Sequence, residues 1–400
     1  MSRSKSKKAG KVGSGPAGYQ EWLAANQGGE PLAMYEVQFY SDAHLIGACK
    51  PIERCPFVVL NAFPYLAIGT LAHVLTLRVC FYTQQRMPKW DKTDVTRYYG
   101  GRIEDEVAAL MSLLLGVRLQ AGGVTREFNH QDALGVPRGD TQVPASPLPT
   151  LHHHGRWRIP AARQQRNLGD YVHPLFDTYP SLTPSEAIAL VRAARLYQRA
   201  LWVSETTPEL AWLHLVAAIE VLAVHEHCDT VDDAQLLAEV IPDLHETLNI
   251  HGGKALIDAC APLLSPMLES TKRFVGFLKA FGPLESPPAR PKGAINIIAW
   301  ELTELEVQYK RIYNCRSRAL HSGEPFPAPM NEHAGDGPDY GETIHGSAQY
   351  TQDAVWLKRD VPMRLHVFEY VTRSALLLWW TRRADAHRMG QSGEEFVGAA

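Results

Sequence analysis

An arginine and a histidine five residues apart, Arg316 and His321, are the pair in this sequence best suited to chemistry. Histidine titrates near neutral pH and can accept or donate a proton, whereas arginine stays charged and contacts phosphate oxygens with two parallel hydrogen bonds. Cleavage of RNA by its own 2′-hydroxyl needs a base, an acid and positive charge at the reacting phosphate. The pair therefore fits an RNA transesterification without a metal ion.

Both residues are predicted to lie at the end of one amphipathic helix. Apolar side chains precede them with the three- and four-residue spacing of a helix face, at Ile298, Leu302, Leu305, Tyr309 and Ile312. The stripe continues onto Arg316, so its guanidinium is predicted to face the core, where a charge must be paired. Gly323 and Pro325 predict the end of the helix just after His321. Five helical residues rise about 7.5 Å, a gap that the long arginine side chain can close.

An earlier predicted helix offers a partner for Arg316. Its start is predicted at Thr207-Pro-Glu209, where a proline occupies the first helical position. Its apolar stripe is formed by Leu213, Val216, Ala217, Ala223 and Val224. Glu220 falls on the same stripe, so we expect its carboxylate and the Arg316 guanidinium to form a buried ion pair. The alternative is that Glu220 lies at the edge of the bundle, in contact with water.

The segment Ile312-Tyr-Asn-Cys-Arg-Ser-Arg-Ala-Leu-His-Ser-Gly323 resembles the R-x4-6-H motif of HEPN domains, and it is most similar to the Apea-like branch. HEPN domains are small all-α bundles, and many are metal-independent endoribonucleases of toxin and antiviral defence systems. Others have lost activity and serve as binding modules. The resemblance therefore implies a ribonuclease that leaves a 2′,3′-cyclic phosphate. The alternative is a non-catalytic module that binds RNA or a partner protein.

The resemblance also implies roles for individual residues. Arg316 and His321 would be catalytic. Glu220 and Ser317 would support them, because HEPN bundles commonly carry an acidic residue on an early helix that orients the motif arginine. Many active members have Asn or Asp directly after the arginine, where this chain has Ser317. In the inactive alternative, Arg316 and Glu220 only brace the bundle and His321 caps a helix end.

The motif supplies one histidine per chain, although the reaction needs both a base and an acid. A two-fold homodimer would bring a second His321 to the same groove, and HEPN nucleases typically build a composite site from two motifs. The alternative is a second group in the same chain, such as Tyr313 or Arg318. Arg311 and Arg318 add positive charge for binding the RNA backbone, although both equally suit a solvated basic helix face.

Four other histidine-containing segments are weaker candidates. Arg166–His173 and Arg382–His387 share the arginine–histidine spacing, but they lie before the predicted bundle and at its C-terminal end. His152–His154 cannot present three rings to one metal ion from a regular element, and His225–Cys228 lacks a second pair of ligands. We therefore predict no metal ion and no cofactor.

The composition is typical of a folded intracellular protein. The chain has 400 residues, 45% of them hydrophobic, and a formal net charge of -3, so any RNA site must be a local basic patch. No apolar run is long enough to predict a membrane span. The 6 cysteines form no C-x2-C pair, which is typical of reduced thiols in the cytoplasm. The expected partners are RNA, a second copy of the chain, and an antitoxin or defence partner, with no membrane.

The first part of the chain is predicted to be an α+β domain over residues 29–130, after a disordered basic tail over residues 1–28. The predicted strands and helix are Met34–Tyr40, Cys55–Ala62, Leu75–Tyr82 and Ile103–Val117. Gly122-Gly123 is interpreted as a break after the helix. Residues 131–180 are rich in proline and polar residues and predict a linker or long surface loop.

The second part is predicted to be an all-α HEPN-like bundle over residues 181–384, followed by a tail over residues 385–400. Thr183-Pro-Ser-Glu186 has the residues of a capping box and predicts a helix that ends near Ser204. Glu324–Gly346 has many Pro and Gly residues and is interpreted as a mobile loop that could gate RNA entry.

Overall fold

The computed structural model describes residues 15–395 except for a set of gaps. The gaps are residues 48–51, 68–69, 84–90, 92, 94–97, 130–131, 133, 139–155, 172, 227–231 and 337–338. An N-terminal α+β region contains a five-stranded sheet, and a helical region follows it. The predicted order of these two classes of structure is confirmed.

The chain divides into two compact units. The first comprises Met1–Gly155, Ile159–Thr206 and Trp379–Ala400, and the second comprises Arg156–Arg158 and Thr207–Leu378. The helix that begins after Thr183 therefore belongs to the first unit. This differs from the predicted boundary at residue 181, which assigns that helix to the bundle, because the pattern of a single helix does not show which core it packs into.

The first unit contains the strands of the main sheet and a second, shorter pair. They are β1 (Ala33–Ser41), β2 (Leu45–Ile46), β3 (Phe57–Ala67), β4 (Thr70–Phe81), β5 (Gln120–Phe128), β6 (Val136–Pro137) and β7 (Arg166–Asn167). The main sheet is antiparallel in the order β3-β4-β1-β5-β6, while β2 and β7 form a short parallel pair. Strands β1, β3 and β4 overlap the three predicted strands.

Strand β5 contains Gly122-Gly123, which the sequence pattern predicts to be a break. A Cβ atom on Gly122 would lie 2.6 Å from the ring of Tyr40 and 2.9 Å from the carbonyl oxygen of Gln38. Glycine is therefore needed where β5 approaches β1, and the pairing of these strands shifts register at this point. A glycine in a strand and a glycine in a loop look the same without this long-range contact.

The first unit also contains helices. They are α1 (Ala17–Asn26), α2 (Ile103–Leu115), α3 (Leu168–Tyr171), α4 (His173–Phe176) and α5 (Pro184–Val203). Helix α2 has the predicted acidic first turn and ends at Gly116, whose φ of 68° is the left-handed conformation that glycine favours. It packs against β5 and α5. The capping box at the start of α5 is confirmed, because Thr183 N–H donates to Glu186 Oε2 at 2.8 Å and Glu186 N–H donates to Thr183 Oγ1 at 3.4 Å.

Helix α1 corrects the predicted tail over residues 1–28. Tyr19 and Trp22 are buried, and the Trp22 ring makes edge contacts with Phe57 and Phe176 at centroid distances of 5.8 and 5.0 Å. These buried aromatic rings stabilise the helix, which short-range composition alone does not predict. Residues 1–14, the most basic part of that prediction, lie outside the described residues.

The second unit is mainly helical. Its elements are α6 (Pro208–Ala223), α7 (Asp233–Val240), α8 (Pro242–Phe281), α9 (Leu302–Ser322), α10 (Leu365–Glu395) and the hairpin strands β8 (Ala348–Thr351) and β9 (Ala354–Leu357). Helices α6, α8 and α9 pack against one another. Helix α10 begins in this unit, and it continues to Glu395, through most of the predicted tail over residues 385–400. None of the described helices is both long and apolar enough to span a membrane.

The segment Glu324–Gly346, predicted as a mobile loop, is packed into the second unit. Phe326, Met330 and Ile344 are buried. The Glu342 carboxylate is fully buried and pairs with Arg290 at 2.6 Å. Proline and glycine give this segment an irregular backbone, but its apolar side chains place it in the core. It is therefore not suited to act as a gate.

A buried carboxylate on α2, Glu106, holds the start of α1. Its two oxygens accept the backbone N–H of Ala17 at 3.1 Å and of Gly18 at 2.8 Å. A Cβ atom on Gly18 would lie 2.8 Å from Glu106 Oε2, so the close approach requires glycine. Burial raises the pKa of Glu106 to about 7, although the two N–H groups and Arg195 favour the charged form.

Replacing this carboxylate by Glu106→Gln should change how stability depends on pH. The folded-state pKa of Glu106 lies above the ordinary 4.5, so its contribution to stability is present at low pH and is lost as pH rises through about 7. Glutamine is neutral at every pH. The free energy of unfolding, variant minus wild type, should therefore be about 2–3 kcal/mol more positive at pH 8 than at pH 5, measured by chemical denaturation.

The matched control is Glu53→Gln, because the Glu53 side chain is 91% exposed in the same unit. Its effect on the free energy of unfolding should be small and the same at both pH values. A Glu106→Gln difference that does not grow with pH would contradict the raised pKa.

Candidate active site

Helix α9 carries the predicted motif. Its core stripe is formed by Leu305, Tyr309, Ile312 and Tyr313, all of which are buried. The predicted stripe is wrong at its beginning, because Leu302 is 47% exposed and Ile298 precedes the helix. The backbone N–H of Ile298 donates to Glu342 instead, at 3.0 Å. The predicted end of the helix is confirmed by Gly323, whose φ of 66° is left-handed.

Arg316 and Glu220 form the predicted ion pair. Arg316 Nη2 lies 2.9 Å from Glu220 Oε2, joining α9 to α6. The two side chains are 22% and 25% exposed. The pair is therefore half-buried. This degree of burial is intermediate between the two predicted alternatives, a fully buried pair and a Glu220 in contact with water at the edge of the bundle.

Tyr313 completes the network around Glu220. Its hydroxyl donates to Glu220 Oε1 at 2.9 Å, so both carboxylate oxygens have a donor. The Arg316 guanidinium also lies 5.5 Å from the centre of the Tyr313 ring. The spacing of three residues between Tyr313 and Arg316 places them on one helix face, so this partner could have been predicted from the sequence.

The network makes Tyr313 a poor choice for the second proton-transfer group. Burial and the negative charge of Glu220 raise the pKa of Tyr313 to about 12. The phenol is therefore protonated at neutral pH and directs its proton to the carboxylate of Glu220. Its ring also packs on Phe274, with centroids 5.1 Å apart.

His321 lies in the last turn of α9 and is exposed to solvent. Among the residues that the structure describes, none forms a hydrogen bond or ion pair with its ring. An α-helix turns by about 100° per residue, so five residues place His321 about 140° around the axis from Arg316. The two motif residues thus project from different faces of α9.

A groove of about 440 Å³ lies beside the motif in the second unit. It is lined by Arg311, Asn314, Cys315, Ser317, Arg318 and Asp360. The structure thus gathers Arg311, Ser317 and Arg318 on one groove, apart from Arg316 and Glu220. Arg318 also pairs with Glu324 at 3.3 Å, and Asp360 adds a carboxylate from a distant part of the chain that no local pattern could predict.

The outward face of α9 connects this groove to His321. Arg318 precedes His321 by three residues and Asn314 precedes it by seven, and both spacings place side chains on the same helix face. All three are exposed. The face that carries positive charge for a ligand is therefore the face that carries the histidine.

The other arginine–histidine pairs have structural contacts. Arg166 donates to the carbonyl oxygen of Leu115 at 2.8 Å, and His387 Nε2 lies 2.8 Å from Glu186 Oε2. The three histidines His152–His154 and the residue Cys228 lie outside the described residues. Within the described ranges, no group of three or more His, Cys, Asp or Glu side chains is arranged to hold a metal ion.

Comparison of the chain with models of protein families, with curated proteins and with solved structures gives no match. A function is therefore inferred from the residues of α9, their contacts and the resemblance of the motif.

Replacing Glu220 with alanine should destabilise the second unit, because Arg316 and Tyr313 both lose their acceptor. The pair is half-buried, so the expected loss is about 1–3 kcal/mol in the free energy of unfolding, below the cost of breaking a fully buried pair. Adding Arg316→Met should recover part of that loss, since the unpaired charge is then removed. Thermal and chemical denaturation of the two variants measure the effect.

Glu285→Ala is the control, because Glu285 is an exposed carboxylate in the same unit and its side chain should contribute little. An unchanged melting temperature in Glu220→Ala would mean that the network does not hold α6 and α9 together.

Proposed function

We propose that this chain is a metal-independent endoribonuclease of the HEPN type, active in anti-phage defence or as a toxin in the bacterial cytoplasm. Helices α6, α8, α9 and the first part of α10 would form its HEPN-like bundle. The observation that carries the proposal is that one helix, α9, holds both an arginine oriented by Glu220, Arg316, and an exposed histidine, His321, that has no partner among the described residues. The defence or toxin setting follows from the resemblance of the motif alone.

The chemistry assigned to the two residues is balanced. One histidine removes the proton of the RNA 2′-hydroxyl, whose oxygen then attacks the adjacent phosphorus. The bond to the 5′-oxygen breaks, and that oxygen takes a proton from an acid, which leaves a 2′,3′-cyclic phosphate and a 5′-hydroxyl. Arginine stabilises the extra negative charge of the phosphorane. Arg316 has five N–H donors, and Glu220 holds the guanidinium by Nη2, so donors remain for phosphate oxygens.

The angle between Arg316 and His321 around the axis of α9 supports a shared site in a homodimer. His321 lies about 140° around the helix axis from Arg316, so one chain presents them to different sides. A second copy related by a two-fold axis would bring its own Arg316 and His321 to the same phosphate, and it would supply the second proton-transfer group. Arg311 and Arg318 in the neighbouring groove would contact the RNA backbone.

A non-catalytic module that binds RNA or a partner protein is the second candidate function. It is favoured by the completeness of the Glu220 network, in which Arg316 and Tyr313 satisfy both carboxylate oxygens and join two helices without any ligand. Ser317, which directly follows Arg316, lines the groove together with Arg311 and Arg318. In this case Arg316 is a brace, and the groove with Arg311 and Arg318 is the functional surface. Cleavage of RNA separates the two functions.

The first test of the nuclease is His321→Ala. Wild-type protein incubated with mixed single-stranded RNAs in EDTA should leave 2′,3′-cyclic phosphate ends. The variant should cleave at least about a hundredfold more slowly, because general acid–base catalysis contributes that much or more. The rate is measured by gel, and the ends are identified by mass spectrometry.

His251→Ala is the matched control, since His251 is an exposed histidine on α8 of the same unit. It should cleave as fast as the wild type. A His321→Ala rate equal to that of the wild type would remove His321 from the mechanism. Activity lost in EDTA and restored by a divalent metal would overturn metal-independent cleavage.

The shared site predicts a specific result when wild-type and His321→Ala chains are mixed. Each heterodimer would contain one intact histidine, so activity per wild-type chain should fall as an excess of the variant is added. Subunit exchange is confirmed by native mass spectrometry. Constant activity per wild-type chain after exchange would place the complete site within one chain.

A further inference from the structure

A cavity of about 860 Å³ lies in the first unit, at the first turn of α2 and the ends of β1, β4 and β5. Its size is in the range of small-molecule sites. The apolar part of its wall includes Leu32, Tyr35, Phe81, Ile103, Val124 and Phe128. Such a wall suits the apolar or aromatic body of a ligand.

A single carboxylate, Glu104, is buried in this wall and is poorly compensated. Its side chain is 6% exposed. Among the described residues its hydrogen-bond and ion-pair partners are Tyr35, whose hydroxyl donates at 2.8 Å, and Arg102, at 3.7 Å. The Arg102 side chain is 82% exposed, and an ion pair with a partner so accessible to water contributes little. A buried carboxylate is costly without a close positive charge, so this cavity favours a cation.

The aromatic rings beside Glu104 have the same preference. Tyr35 and Phe81 lie with their centroids 5.3 Å apart and their planes at 44°. The face of an aromatic ring attracts cations through its quadrupole. Burial and the charge of Glu104 raise the pKa of Tyr35, so its hydroxyl remains a donor to the carboxylate.

An anion is disfavoured, although α2 begins here and Arg102 stands at the rim. The first turn of α2 already carries Glu104, Asp105 and Glu106, which oppose its positive end. Asp105 also accepts the backbone N–H of Arg102 at 2.9 Å. The carboxylates that line the cavity are Glu104 and Glu127, and Arg102 at its rim is the group that an incoming cation would displace.

We propose that this cavity binds a small organic cation, with its ammonium group at Glu104 and its apolar body against the neighbouring rings of Tyr35 and Phe81. The site is separate from the α9 motif and does not depend on the ribonuclease.

The test uses three probes of one shape on the full chain: phenethylamine, neutral 2-phenylethanol and anionic phenylacetate, in calorimetric titrations. Phenethylamine should bind at least about tenfold more tightly than either of the others, because an interaction with a charged partner is worth this much or more. Equal affinity for the three probes, or no binding of phenethylamine, would overturn the proposal.

Two variants of the cavity wall and one control locate the binding. Glu104→Gln keeps the shape of the side chain and should weaken phenethylamine binding by at least about tenfold, whereas Glu53→Gln, an exposed control in the same unit, should not change it. Arg102→Ala removes the competing cation. The position is exposed, so the substitution should not impair folding, and it should strengthen binding by about two- to fivefold. Weaker binding in Arg102→Ala, or full affinity in Glu104→Gln, would refute the assignment.

Discussion

The charge of Arg316 on the core-facing stripe of α9 is the constraint on which the arrangement of the second unit depends. An arginine at that position must have an acceptor, and Glu220 of α6 provides one at 2.9 Å. The same carboxylate accepts the Tyr313 hydroxyl, so one side chain of α6 contacts two successive turns of α9. These two contacts fix the register between the helices more closely than apolar packing alone, because hydrogen bonds have narrow distance and angle limits.

The degree of burial of a charged side chain distinguishes a purely structural network from one that can also bind a ligand. Arg118 in the first unit is fully buried, and its guanidinium contacts Asp42 at 2.9 Å, Ser204 at 3.0 Å and the Leu201 carbonyl at 2.6 Å. A side chain so enclosed can only serve the fold. Arg316 keeps 22% of its side chain exposed, so it can hold Glu220 and still reach a phosphate. This difference supports the choice of α9 rather than Arg118 as the candidate site.

Short-range patterns predict much of the candidate site, whereas long-range contacts decide what the patterns miss. The Arg316–Glu220 pair follows from two helical stripes, and the ends of α2 and α9 follow from Gly116 and Gly323. Helix α1 depends on partners such as Phe176, more than a hundred residues away. The irregular segment Glu324–Gly346 is held by Arg290 through Glu342. In each of these cases the stabilising partner is remote, so local composition predicts a tail or a loop.

Arg316 and His321 lie on different faces of α9, and this separation bears on the choice between a nuclease and a binding module. On the inner face, Arg316 and Tyr313 each donate to one oxygen of Glu220, so that carboxylate is satisfied within one chain. The outer face carries the exposed side chains of His321 and Arg318, which are accessible to a ligand or a second chain. A binding module needs the outer face alone. A nuclease needs both faces at one phosphate, and because about 140° of helix separates them, a second copy of α9 is the simplest way to supply the missing face.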